Sequence, residues 1–232
     1  SSRPDFVRLP YFPADAKTFL AKFTTVVLCG AREPVAMFGY TDGVSKLLDQ
    51  VMEIEASDVT GALIYLAKLV GTAAQNPASP KKQKEVTGRL NAHKLCQVLC
   101  AVQPADAIIV DESLTSGGSY WDLSQDCPPF SHLTLTGGSI GIGLPLAVGC
   151  AVACPGRRVI SFQADGSGLY STPALWTQAA EGLDVTTIIC ANGLYQILKV
   201  EQQKQKLKTA APNAKKLTAL QKPSVDWVSL AK

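Results

Sequence analysis

Histidine is scarce, with two residues in 232, and the seven cysteines nowhere fall into C-x-x-C spacing. His93 lies in the helix-like "LNAHKLC" and His132 just ahead of the strand-like "LTLT", and both are expected to be structural. Without paired thiols or a histidine cluster, neither a metal site of that kind nor a disulfide framework is expected. Cys29, Cys150 and Cys190 sit inside apolar runs, where a reduced thiol behaves as a small core residue. An intracellular, reducing compartment is the expectation that fits; the sequence does not say which organelle. No apolar run reaches the ~18 uncharged residues of a membrane span, and "SSRPDF" at the start shows no secretory pattern. Net charge is also small, at +3. The most basic stretch, "KVEQQKQKLKTAAPNAKK" from Lys199 to Lys216, contains no aromatic residue, and none occurs between Tyr195 and Trp227. It is therefore expected as a solvated surface loop, and no nucleic-acid partner is expected.

What is present is a core. Hydrophobic residues make up 47% of the chain and charged residues 18%, which places it among globular proteins. In the first part, "ADAKTFLAKF" looks helical, "FTTVVLCG" is a short β-rich run closed by glycine, and "SKLLDQVMEIEASDVTGALIYLAKLVG" turns helical towards its end. There Ala62, Leu63, Leu66 and Val70 can share one face. The prolines, small residues and lysine run of residues 73–88 mark a linker. After it the pattern becomes regular. A helical stripe through Leu90, Leu95, Val98 and Leu99 precedes the strand "AIIVDES". Strand "SHLTLTGGS", helix "IGLPLAVGCAVAC", strand "RRVISFQADGSG", helix "TPALWTQAAEGL" and strand "DVTTIICANGLY" follow. Strands apolar on both faces that alternate with helices predict an α/β fold with a parallel sheet covered on both sides.

Polar and glycine clusters fall just past the carboxyl end of each predicted strand: Asp111 to Ser116, Gly137 to Ile140, Asp165 to Ser167, and Asn192 to Leu194. In open α/β sheets that edge is where ligands bind. Two families write strings close to "TGGSIGIG", residues 136–143. The T-G-x-x-x-G-I-G of short-chain dehydrogenases matches letter for letter, and Tyr195 to Lys199 has the form of their catalytic Y-x-x-x-K. The arrangement disagrees with that family. Its glycine loop opens the chain, its tyrosine lies several α/β units further downstream, and the serine expected shortly before the tyrosine is missing from "AAEGLDVTT".

The segment "ADGSGLYSTPALWTQAAEGLDVTTIICANGLYQIL" resembles the diphosphate-binding motif of thiamine diphosphate-dependent enzymes, which opens G-D-G-S and closes N-N or N-G. The motif suits a diphosphate neutralised by Mg²⁺, a hard cation that takes oxygen ligands. By this resemblance Asp165, the Asn192 amide oxygen and the Leu194 carbonyl are the metal ligands. Gly166, Ser167 and Asn192 belong to the cofactor site, Gly166 and Ser167 offering N–H groups and Ser167 also its hydroxyl. The motif's first glycine is Ala164 here, a mild change at negative φ and a strained one at positive φ. "TGGSIGIGLPLAVG" resembles the G-G-x-x-G-x-G-L-P-x-A-x-G segment of acetolactate synthase and its decarboxylase relatives. The resemblance implies that Ile140 wedges beneath the cofactor to bend it and that the Gly138 carbonyl accepts from its aminopyrimidine. "VDESLTSGG" resembles the neighbouring diphosphate contact, with Thr115 or Ser116 as donor.

The resemblance covers almost the whole chain and is nearest to the large-subunit-like group of acetolactate synthases. It implies part of a middle domain over residues 1–75, a linker over 76–88 and the diphosphate-binding domain over 89–232. "PSVDWVSLAK" falls where another α/β unit is expected to begin, so this domain is expected to be truncated at its C-terminal end. The family's catalytic glutamate lies in a pyrimidine-binding domain that these residues do not include, so no catalytic residue is expected within them. A second subunit or domain is implied as the partner that completes the cofactor site, and a homo-oligomer is expected. The activity implied is a Mg²⁺-dependent carboligase or decarboxylase acting on a 2-oxo acid. A non-catalytic relative serving as a scaffold or assembly subunit is the alternative.

Overall fold

The structure is a computed structural model that describes residues 7–40, 43–71, 85–207 and 211–232. These fall into two compact units, one within residues 3–77 and the other within 78–232. Most of the expected linker lies outside the described residues.

The first unit contains helix α1 (Pro13–Leu20), strands β1 (Val27–Cys29) and β2 (Met52–Ile54), and helix α2 (Val59–Leu69). The two strands pair in parallel, Val27 against Met52 and Cys29 against Ile54. Gly30 follows β1 at φ +63, and a Cβ there would meet a Val59 methyl at 2.7 Å. Asp58 caps α2 by accepting from Gly61 N–H at 2.9 Å, supplying one of the partners a helix start lacks. The face expected for α2 is only half realised. Ala62 and Leu66 are half-buried, whereas Leu63, Ile64, Tyr65, Leu69 and Val70 are exposed.

The second unit is built on a four-stranded parallel sheet in the order β4-β3-β5-β6. Its strands are β3 (Ile108–Glu112), β4 (Ser131–Thr134), β5 (Val159–Ala164) and β6 (Val185–Cys190). Between them run α3 (Ala92–Val102) before β3, α4 (Tyr120–Leu123), α5 (Gly143–Ala153), α6 (Asp165–Gly168) and α7 (Pro173–Ala180). After β6 come α8 (Gln196–Lys204), α9 (Pro212–Thr218) and α10 (Trp227–Leu230). Alternate residues of the central strands feed two separate cores, as a sheet covered on both faces requires. On one face Ile109, Ile160, Phe162 and Cys190 pack with Cys96, Leu99 and Cys100 of α3 and with Tyr120. On the other, Ile108, Val110 and Val159 pack on Ala147 of α5.

Two sequence expectations need correction. The buried stripe of α3 runs through Cys96, Leu99, Cys100 and Gln103, with Leu95 packed beside it, whereas Leu90 is 64% and Val98 37% exposed. Leu90 precedes the helix, which is capped by Asn91, and the spacing 96, 99, 100, 103 is the true helical face. Two of its positions are cysteines acting as small apolar residues. The basic stretch after Tyr195 is not a loop throughout, since α8 and α9 are helical; no residue of α8 is buried, so its lysines stay at the surface.

None of the seven cysteines forms a disulfide, and no helix of the described residues is long and apolar enough to cross a membrane. Burial pushes the Cys190 thiol up to about 11, with smaller upward contributions from Cys96, Asp111 and Asp165. The thiolate is the reactive form. Alkylation of the folded chain at pH 8 should therefore leave Cys190 unlabelled until denaturant is added, and peptide mapping of the labelled chain would show this. Labelling of Cys190 at the rate of a free thiol would contradict the burial described here.

Candidate functional site

Register decides what meets at the carboxyl edge of the sheet. Glu112 stands opposite Gln163, and Ala164 opposite Cys190, so the chain leaves β3, β5 and β6 at nearly one level. β4 ends one step short, Asp111 facing Thr134, and its chain continues into the glycine loop.

Asp165 follows β5 directly and is 5% exposed. One carboxylate oxygen accepts from the next residue's N–H, Gly166, at 2.8 Å, and the other from Gly193 N–H at 2.7 Å. The second bond holds the carboxylate against the turn after β6. Asn192 folds that turn on itself, its side-chain oxygen accepting from Leu194 N–H at 2.9 Å. Residues 193–195 are also strapped by a later segment. Tyr195 N–H donates to the Thr218 carbonyl at 3.0 Å, and Leu220 N–H to the Gly193 carbonyl at 2.8 Å, around a bridge from Leu194 to Ala219. Backbone groups alternate in direction along an extended segment. The Leu194 N–H and carbonyl therefore face away from the strap, and the N–H meets Asn192. Asp165, Asn192 and Leu194, separated in sequence, are thus brought to one turn.

Ala164 is extended at φ −81 and ψ 148, so its methyl is accommodated without strain. Gly166 is confined for another reason: a Cβ there would come within 2.5 Å of the Tyr195 ring. Burial raises the Tyr195 hydroxyl pKa above its usual value, and Tyr170 and Asp165 add to the shift. Ser167 differs from its expected role. It is 1% exposed, its hydroxyl accepts from Gln163 Nε2 at 2.6 Å, and the carbonyls of Ala164 and Glu112 lie at 3.2 and 3.4 Å as acceptors. That hydroxyl faces inward, leaving only the backbone of Ser167 to meet an anion.

The glycine loop is built from positive-φ residues, Gly137 at +59, Gly138 at +72 and Gly141 at +97. A Cβ on Gly137 would meet nothing within 4 Å, whereas one on Gly141 would strike Tyr170 at 2.6 Å. The loop is therefore open at its start and clamped at its end. Ile140, between the two, is 37% exposed, and Gly138 is half-buried. Beside it, Leu114 adopts φ +50, Thr115 is exposed and Ser116 is half-buried with its carbonyl 3.6 Å from the Cys96 thiol. The tight winding there explains Gly117, where a Cβ would fall 1.7 Å from the Ser113 hydroxyl.

Residues with no assigned role in the sequence turn out to organise this edge. The Glu112 carboxylate is 1% exposed and accepts from Gly141 N–H at 2.5 Å, Gly143 N–H at 2.6 Å and Gln163 Nε2 at 3.0 Å. Asp111 accepts from the Ser113 N–H at 3.0 Å and hydroxyl at 2.5 Å and pairs with His132 Nε2 at 3.3 Å. His132 stacks on Trp121 with ring centroids 5.5 Å apart, which fits a structural role. An acid and a glutamine closing strands that are otherwise apolar were the available signal, because buried polar groups need partners. His93 also fits a structural role, with Nδ1 3.0 Å from the Ser119 hydroxyl. Among the described residues no three His, Cys, Asp or Glu side chains cluster as a metal site.

Comparison with known proteins adds to this geometry. Residues 120–232 match the family model described as thiamine pyrophosphate enzyme, C-terminal TPP binding domain. Over 98% of its length the chain is 38% identical to IlvX, a candidate acetolactate synthase large subunit of Mycobacterium tuberculosis, and covers 45% of it. Over 52% of the chain it is 36% identical to the benzoylformate decarboxylase of Pseudomonas aeruginosa, of which 23% is covered. Among solved structures, the thiamine diphosphate-dependent 4-hydroxybenzoylformate decarboxylase of Rhodococcus jostii superposes with a TM-score of 0.70 at 26% identity. That match covers 96% of this chain and 45% of the other. The chain spans less than half the length of each of these relatives.

Burial opposes ionisation of Asp111, but hydrogen bonds from His132 and Ser113 outweigh it and hold the carboxyl below its ordinary 3.8. With the folded value lowered, its contribution to stability is full above pH 3.8 and is lost as pH falls through the folded value. Asp111→Asn should lower unfolding stability by about 1–3 kcal/mol at pH 7, by removing charge-assisted bonds. The deficit should shrink as acid titrates the native chain. Denaturant melts at pH 7 and pH 3 would measure it, and a deficit equal at both pH values would contradict the assignment.

Proposed function

We propose that the chain is a thiamine pyrophosphate enzyme, whose C-terminal TPP binding domain model matches residues 120–232, and that it is the diphosphate- and Mg²⁺-binding half of an acetolactate synthase-like enzyme. Its reaction is a carboligation or decarboxylation of a 2-oxo acid. The observation that carries the reading is the Asp165 carboxylate held 2.7 Å from Gly193 N–H, inside the turn that also bears Asn192 and Leu194.

The residues fit the group. One carboxylate, one amide oxygen and one backbone carbonyl form a hard oxygen set suited to Mg²⁺. A carboxylate has about four lone-pair sites, so the two N–H groups on Asp165 leave capacity for a cation. Ser167 brings a backbone N–H group to the same turn, beside the Gly166 N–H that Asp165 holds, and Thr115 and Ser116 line the neighbouring loop. The open face of Gly137 and the exposed Ile140 suit a ligand that lies directly on the backbone. When bound, thiamine diphosphate supplies the carbanion-stabilising chemistry itself. This chain's part is to hold the diphosphate through Asp165, Asn192 and Leu194 and to present Gly138 and Ile140 beneath the rings. Positioning of that kind accounts for a large share of catalysis where a cofactor must be held in one reactive geometry.

A pyrimidine-binding half-site from a second subunit or domain completes the arrangement in this reading, within a homo-oligomer. A strained Ala164 would support the scaffold alternative. The residue is not strained, because the extended φ of −81 accepts a methyl.

Titration calorimetry of the 232-residue chain with thiamine diphosphate should show binding that requires Mg²⁺. Asp165→Ala should weaken it by about 100-fold or more, since loss of even an outer partner costs 10–100-fold in metal affinity. Unchanged Mg²⁺-dependent binding in that variant would sink the assignment.

A further inference from the structure

The glycine loop touches the rest of the protein through an acid that the proposed site does not itself require. Glu112 closes β3 and is 1% exposed. One of its oxygens takes Gly141 N–H at 2.5 Å and the other takes Gly143 N–H at 2.6 Å. Its other partner, Gln163 Nε2 at 3.0 Å, is also bonded to the Ser167 hydroxyl at 2.6 Å. No cation is paired with Glu112 among the ion pairs of the described residues. Every side-chain partner recorded for it is a donor, and two of the three are backbone N–H groups of one loop.

This contact explains sequence features that the cofactor alone does not. A Cβ on Gly143 would lie 2.2 Å from Gln163 Oε1 and 2.7 Å from Glu112 Oε2, so the glycine at 143 is needed by the glutamine and the acid beneath it. Gly141 is held at φ +97 between Glu112 and Tyr170. Immediately before this clamp, Gly137, Ser139 and Ile140 are exposed and Gly138 is half-buried. The same network reaches the turn at Asp165 through Ser167. The two halves of the proposed cofactor site are therefore joined by one buried set of polar groups.

We propose that Glu112 is a positioning residue for thiamine diphosphate, holding residues 141 and 143 so that the Gly138 carbonyl and the Ile140 side chain are in place before the cofactor binds. This rests on the cofactor reading above. Two bonds to a single carboxylate, at alternate residues, fix both height and tilt of the loop, and charge-assisted bonds are the stronger kind. Glutamine in this place keeps the size but turns an NH₂ towards one of the two N–H groups. One bond is then replaced by a donor–donor clash.

The test compares the full wild-type chain with Glu112→Gln. In nitrogen-15 NMR spectra of the free proteins, the Gly141 and Gly143 amides of the wild type should exchange slowly. In the variant at least one should shift and exchange faster, while the Gly193 amide, bonded to Asp165, stays in place. In calorimetry the variant should bind thiamine diphosphate with Mg²⁺ about 10- to 100-fold more weakly, and Mg²⁺–pyrophosphate within about twofold of the wild type. Equal losses for both ligands, or no loss for either, would overturn the proposal. Wild-type chain that binds neither ligand would overturn the cofactor reading itself, a different failure from one confined to the variant. Should the variant not fold, the wild type still decides. Binding should move the Gly138 and Ile140 resonances and leave Gly141 and Gly143 in place, and a large shift of the latter pair would mean the loop is not set in advance.

Discussion

Parallel pairing is the constraint on which the site depends. β3, β4, β5 and β6 all run in one direction, so every connection must cross back over the sheet and every strand delivers its carboxyl end to the same edge. The crossings supply the helices that cover both faces, α3 and α4 on one and α5 on the other. With both faces dry, the strands are apolar nearly throughout, and polar residues gather where the strands end. Glu112, Asp165 and Asn192 lie at that edge because of topology, before any ligand is considered.

The edge is buried as well as polar, and this combination makes it demanding. Glu112, Gln163, Asp165 and Ser167 are all 5% exposed or less. Polar groups removed from water must find partners within the protein. Here they find them mainly in backbone N–H groups of the loops that follow the strands. The carboxylates therefore shape the loops: Glu112 the glycine loop and Asp165 the turn at Gly193. Gln163 Oε1 is one of five buried side-chain atoms of the described residues that have no hydrogen-bond partner. It faces the place a Cβ of Gly143 would occupy, so the absence of a side chain there is required by the network.

Much of this was legible in residue patterns. Strands such as "RVISFQA" are apolar on both faces, which announces a covered parallel sheet, and the glycine and acid clusters after them mark its carboxyl edge. Asp165 and Asn192, the ends of the segment that resembles the diphosphate motif, stood out by residue type and order. Other features were not legible. The true face of α3 was obscured because two of its core positions are cysteine. The inward turn of the Ser167 hydroxyl depends on Gln163, which reaches it from within β5. The strap over residues 193–195 comes from residues 218–220, beyond two intervening helices, and nothing in its local composition announces a pairing.

By itself the sequence determined the alternation of strand and helix, the parallel sheet and the identity of the groups at its edge. Those follow from periodicity and from the chemistry of single residues, which act over a few positions. Tertiary structure alone decided the partners. Whether Glu112 meets water, a cation or two glycine N–H groups depends on how a loop after β4 returns to the end of β3. Whether Ala164 is tolerated depends on one backbone angle. Both are set by packing between segments distant in the chain, and no local pattern carries that information.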